Sequence, residues 1–290
     1  MTAIGHAQRG AMTLAYQLTH ADIGEPFPSP DGKKLVFEIR IAGVYQLFIM
    51  NTDGTGQVQI THDPSTHDTP SWSPDGRKIA YVSDKTGHSA IYMSNPDGSG
   101  EELLTDGRHE YIHPNWSADS SHLIYCSDDD LKPPLKNASE IFSLDLKTRE
   151  IKTIITGGTN TYPSWSPDGK HIVFRRIIGD MNSEVFLADA DGSNPVNLTN
   201  HWSFDGWPAW SPDGKKIAFA SNRSANYQIY TMNPDGSDVQ RVANTEGRAI
   251  EPRWAPDGKT IYFTDCRKVD WGGDCHVFTA KLDREVPGRP

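Results

Sequence analysis

The sequence predicts an all-β protein: a single six-bladed β-propeller of four-stranded antiparallel blades spanning residues 1–290, closed by an N-terminal strand that joins the C-terminal blade. Three observations predict it. The motif Pro-x-Trp-Ser-Pro-Asp-Gly recurs at 70–76, 163–169, 208–214 and 252–258, with degenerate copies at 26–32 and 114–120. Its aspartates, Asp31, Asp75, Asp119, Asp168, Asp213 and Asp257, are spaced 44, 44, 49, 45 and 44 residues apart, the period of one propeller blade. The last repeat supplies only three strands, while residues 14–26 parallel residues 239–252 and carry the missing fourth.

Each repeat justifies the same elements in the same order. The segment through the motif proline and tryptophan reads as the innermost strand. Ser-Pro-Asp-Gly then has tight-turn chemistry: proline presets φ, aspartate accepts nearby backbone N–H groups, and glycine takes positive φ. An alternating run follows (KKLVFEIR, RKIAYVS, SHLIYCS, KHIVFRR, KKIAFAS, KTIYFTD), then a second after a polar loop (such as AIYMSN or QIYTMN). A turn such as NPDGSG leads to a third run ending near Leu-Thr. Period-two alternation between turn signals means short antiparallel strands. Residues 14–19 are expected beside 276–282. The insertion Asp128-Asp129-Asp130 with LKPPLKN is an outer loop that stretches one spacing, and the loop containing Trp271 overhangs one face. The five motif tryptophans (Trp72, Trp116, Trp165, Trp210, Trp254) are expected in interblade packing.

Composition narrows the function. With 28 Lys+Arg against 38 Asp+Glu the net charge is −10, so no nucleic acid is expected as partner, because phosphate neutralisation needs a basic face. No apolar run approaches the roughly 20 residues of a membrane helix. The first twenty residues lack an apolar leader; the protein reads as cytoplasmic as written, and periplasmic if a signal was removed. Three cysteines make no disulfide scaffold. Cys126 reads as a buried thiol, while Cys266 and Cys275 flank a hairpin loop and are either bonded or two neighbouring thiols. A bond would indicate an oxidising compartment.

The W-S-P-D-G repeats, the N-P-D-G-S turn and the terminal leucine-threonine resemble TolB-type propeller repeats over about residues 12–283. Such repeats occur in the TolB periplasmic protein, in the propellers of prolyl-oligopeptidase-type peptidases and in oligogalacturonate lyases. The resemblance implies the propeller fold and, for TolB, a channel mouth that receives a partner peptide. It implies neither TolB's additional N-terminal domain nor a hydrolase domain, and no nucleophile elbow is present.

Function is expected where the blades differ. The residues before the motif prolines are Glu25, Thr69, His113, Tyr162, Trp207 and Glu251, and Asp68, Tyr111, Asp205 and His67 flank them. These positions should ring one mouth of the central channel, where converging polar and aromatic groups make a binding site. Two functions suit it. One is a scaffold for a protein or peptide partner. The alternative is a metal-dependent hydrolase or lyase, with Glu25, His113 and Glu251 holding calcium, manganese or zinc and His113 or His67 acting as base, on a small-molecule substrate. Oligogalacturonate lyases, by resemblance, use a histidine-rich metal site. A detached substrate-gating propeller of a peptidase system is a third reading. His109-Glu110-Tyr111-Ile112-His113 matches H-E-x-x-H, but the repeat register places it in a loop and strand, not on the helix that a zinc peptidase needs. A monomer is expected.

Overall fold

Each Ser-Pro-Asp-Gly copy fixes where one strand ends and the next begins. In the second blade Ser73 Oγ donates to Asp75 Oδ1 at 2.7 Å, Arg77 N donates to the same oxygen at 3.0 Å, and Gly76 adopts φ +74°. The other copies repeat the aspartate-centred pattern; in the sixth the serine is Ala255 and Thr260 Oγ1 from the next strand donates to Asp257 instead, and Ser120 takes the glycine's left-handed place in the third. The computed structural model describes residues 15–19, 23–105, 109–127, 138–179, 182–267 and 274–282.

Among these residues there are six antiparallel blades and no helix; none is therefore long and apolar enough to cross a membrane. The first blade runs Ile23–Pro28, Lys34–Ile41, Val44–Asn51 and Val58–Gln59 from the channel outwards. The fourth differs from the expected four strands. Ala138–Ser139, which follows the insertion of the third blade, adds a short parallel fifth strand beside Gly158–Trp165. Ser139 Oγ donates to Asn160 O at 2.9 Å, and Asn160 Nδ2 donates back to Ser139 O at 3.1 Å. The acidic insertion Asp128–Asp130 and Trp271 lie outside the described residues.

The ring closes as expected. Ala15–Gln17 pairs antiparallel with Cys275–Lys281, Ala15 opposite Ala280 and Gln17 opposite Phe278. Leu18 N continues the ladder to Val277 O at 2.8 Å, and Val277 N donates to Thr19 Oγ1 at 3.0 Å. Residue 14 lies outside the described residues.

The apolar core is six separate clusters, one between each pair of neighbouring blades. This follows from alternation: both faces of every blade meet another blade, so both residue sets of the middle strands are buried, as in Ile79–Ser83 and Ala90–Ser94. The motif tryptophans pack in these clusters as expected. Trp116 Nε1 donates to Ser71 O at 3.0 Å and Trp254 Nε1 to Ala209 O at 3.2 Å, each across a blade boundary. The sixth-to-first cluster has Tyr262 and Val277 against Phe37 and Leu35, with Leu18 packed on it.

Candidate functional site: one mouth of the central channel

Every innermost strand carries the same irregularity. Its pairing slips between the second residue before the motif proline and the one after it, as between Asp68 and Ser71 or Gly206 and Ala209. The residue before the proline is left-handed in all six blades: Glu25 (φ 46°), Thr69 (48°), His113 (56°), Tyr162 (54°), Trp207 (54°) and Glu251 (57°). Residues with side chains seldom adopt this conformation, and a bulge re-aims the residue that it carries. Glu25, Thr69, His113 and Tyr162 thereby share the lining of one channel cavity, together with Arg253 from the sixth blade.

The neighbours nominated with them divide by register. The position three before the motif proline is occupied by Ile23, His67, Tyr111, Asn160, Asp205 and Ala249, and all six side chains are buried. Tyr111 packs edge-on against Tyr125 and Phe142 inside its blade. Asp205 accepts from Arg223 Nη2 at 2.8 Å. His67 is fully buried and meets Asp63 Oδ1 at 3.0 Å. These three hold strands together rather than line the channel. Asp68 is half-buried, and its charge helps raise the Glu25 pKa. His109 meets Tyr111 edge-on, and Glu110 accepts from Ser89 N at 2.6 Å; Tyr111–Trp116 is a strand, so the H-E-x-x-H spacing makes no zinc-peptidase site.

The mouth is chemically split. Its acidic side is built by the sixth, first and second blades. Glu251 Oε2 accepts from Thr264 Oγ1 at 2.9 Å and from Glu25 N at 3.3 Å. Glu38 Oε2 accepts from Thr69 N at 3.0 Å. Burial, then the Glu251 and Glu38 charges, push the Glu25 carboxyl well above its ordinary range. Burial likewise raises Glu251, with Thr264 and Arg253 opposing.

The other side is aromatic, from the third, fourth and fifth blades. His113 stacks on Tyr162 with centroids 3.7 Å apart, Tyr162 meets Trp207 at 5.6 Å, and Phe204 and Tyr227 complete the wall. Arg175 lies within it, its guanidinium 4.9 Å from the Tyr162 ring centre, 5.3 Å from that of Phe204 and 5.6 Å from that of Trp207. Burial, with the Arg175 and Arg253 charges, holds the His113 imidazole well below its usual range, so it is neutral.

Among the described residues no three His, Cys, Asp or Glu side chains are grouped to hold a metal ion. The expected set of Glu25, His113 and Glu251 shows why. The carboxylates sit together, but His113 is committed to the Tyr162 ring face and feels two arginine cations. The donors present do not fit a resident divalent cation.

Sequence reasoning missed Glu38, Arg175 and Thr264, which occupy one repeat position on the second strand, opposite the residue preceding each bulge. The signal was a charged or polar residue in an otherwise apolar run, at the position filled by Val82, Cys126 and Ala220 in the other blades. It also missed Arg253, the residue after the motif proline, whose guanidinium lies 5.5 Å from the Phe27 ring centre. Cys266 and Cys275 are bonded, closing the hairpin beside the acidic side.

With the ring and its mouth defined, comparison with known proteins places the sequence. The family model of the TolB beta propeller domain matches residues 15–176 and 93–285. The chain belongs to that family. No curated protein sequence matches it. Among solved structures, it is similar to a putative TolB from Agrobacterium tumefaciens (21% identity, TM-score 0.68, covering 92% of this chain and 96% of that one). It is also similar to TolB from Acinetobacter baumannii (23%, 0.71, 89% and 65%). An oligogalacturonate lyase from Vibrio parahaemolyticus shares the fold at lower identity (16%, 0.62, 92% and 93%).

Proposed function

We propose that this TolB-type propeller is a binding scaffold that takes a segment of a protein or peptide partner into the split mouth. The observation that carries it is the bulge ring: six side-chain-bearing residues hold a left-handed conformation that costs about 1–2 kcal/mol each, and four of them, Glu25, Thr69, His113 and Tyr162, line one channel cavity. A structural turn needs only glycine there. Tyr162, half-buried at the cavity and backed by the buried Trp207, gives rigid aromatic surface of the kind that anchors partners, and Glu251 offers a carboxylate to a basic or donor group.

Capture from native extract by the immobilised protein tests the reading, with a Trp207→Ala/Glu251→Ala variant beside it. The expected outcome is a partner held by the wild type and weakened at least about tenfold by the variant. Identical catches would discard this mouth as the interface.

A further inference from the structure

We infer that Arg175 anchors a carboxylate group of the ligand, so that the mouth selects a segment bearing an acidic side chain or a free C-terminus; this rests on the binding reading above. Arg175 stands opposite Thr161 in the strand His171–Gly179. At the same position in other blades, Glu38 and Thr264 turn to the next blade and accept the N–H of its bulge residue, Thr69 and Glu25 respectively. An arginine has donors only and cannot take that role. Its Nε–H instead donates to Thr161 Oγ1 at 2.8 Å, which fixes the plane of the guanidinium.

The terminal nitrogens are left over. Among the described residues no carboxylate forms an ion pair with Arg175, and neither Nη group has a hydrogen-bond acceptor. Arg223, one blade on, is by contrast matched to Asp205 at 2.8 Å. Three aromatic rings hold Arg175 by their faces, which stabilises a cation but satisfies none of its in-plane N–H groups. The fork of a guanidinium matches a carboxylate with two parallel hydrogen bonds, strongest where water is scarce. The neighbouring blade makes room for the side chain: a Cβ on Gly206 would stand 2.8 Å from Arg175 Cδ. A half-buried cation with its donors open, beside the mutually tilted rings of Tyr162 and Trp207, is a seat for a planar anion flanked by apolar surface.

The test uses the full-length protein labelled with 15N, reading the Arg175 Nε–H resonance, which is assigned by its loss in Arg175→Lys. N-acetylphenylalanine presents a terminal carboxylate, N-acetylglutamic acid α-amide presents one on its side group, and N-acetylphenylalaninamide has none. Saturable movement of the signal with at least one carboxylate and not with the amide is expected, and the responding carboxylate identifies the source. In Arg175→Gln the same binding, followed by tryptophan fluorescence, should weaken about tenfold or more. No response to either carboxylate, or an equal response to the amide, overturns the inference. The two readings fail separately. A partner captured equally by wild type and Arg175→Gln overturns the anchor and leaves the mouth as interface. A carboxylate response without any captured partner supports the anchor and removes the partner reading.

Discussion

The same narrow channel shifts Glu25 and His113 in opposite directions, the carboxyl up and the imidazole down, and the signs of their effects on stability differ. The Glu25 pKa is raised, chiefly by burial. Its contribution to stability is present below the unfolded carboxyl value of about 4.3 and is lost as pH rises through the raised folded value. Glu25→Gln should remove that slope, so urea midpoints measured from about pH 4 to 8 should show the variant gaining on the wild type as pH rises. A constant difference across the range would refute it. The His113 pKa is lowered, chiefly by burial. Stability due to its neutral form is present above about pH 6.5 and is lost as pH falls through the lowered folded value. His113→Gln should flatten this acid limb. The six left-handed bulge positions were legible because each precedes a motif proline. His67, Tyr111 and Asp205 were misplaced because only the bulge decides which of the flanking residues turns inward.

At the level of the strand and its turn, two devices make separate predictions. The Cys266–Cys275 bond closes a short loop on the hairpin beside Glu251. Replacing both cysteines by serine should lower stability by about 2–3 kcal/mol by loop entropy, read as a fall in denaturant midpoint. No shift would mean that the paired strands hold the hairpin without it. The second device is the turn before each outer strand. In the second blade, Gly98 has φ +82°, and a Cβ there would stand 2.1 Å from Ile60 O of the preceding blade. Gly98→Ala should cost more than about 1 kcal/mol. The equivalent change at Gly87, which also has positive φ but nothing near its Cβ, should cost less, and equal losses would show that the close approach between blades is immaterial. The repeat announced these turns, but not that their glycines touch the neighbouring blade, since that contact depends on how blades stack.

For the ring as a whole, closure depends on three residues pairing across the entire length of the polypeptide. Removing residues 1–19 would leave Cys275–Lys281 as an open edge, which invites association with other molecules, and would strip Leu18 from the sixth-to-first cluster. The truncated protein should melt at a lower temperature and aggregate, followed by calorimetry and light scattering. An unchanged monomeric transition would show that the other contacts between first and sixth blades suffice. Adding the peptide 1–19 back in trans should restore part of the loss, because the same ladder can form between separate molecules.

The sequence by itself determined the number of blades, the order of the four antiparallel strands within each, the turns, the interblade tryptophans and the strand that closes the ring, but not the parallel fifth strand of the fourth blade. Those follow from short-range rules: alternation, turn chemistry and a fixed repeat length. It also marked the ring of bulge residues, because proline and tryptophan anchor the register on one side of it. Only the tertiary structure decided how that ring divides. Glu25 comes from near the first repeat and Glu251 from the last, so their shared burial is invisible along the sequence. Arg253 reaches the channel, and Arg175 the aromatic wall beside it, from positions that hold small or apolar residues in most other blades, and burial together with their charges turns His113 from an apparent metal ligand into a neutral stacking partner. The fold repeats what is local, whereas the site is made of what six dissimilar blades bring to one axis.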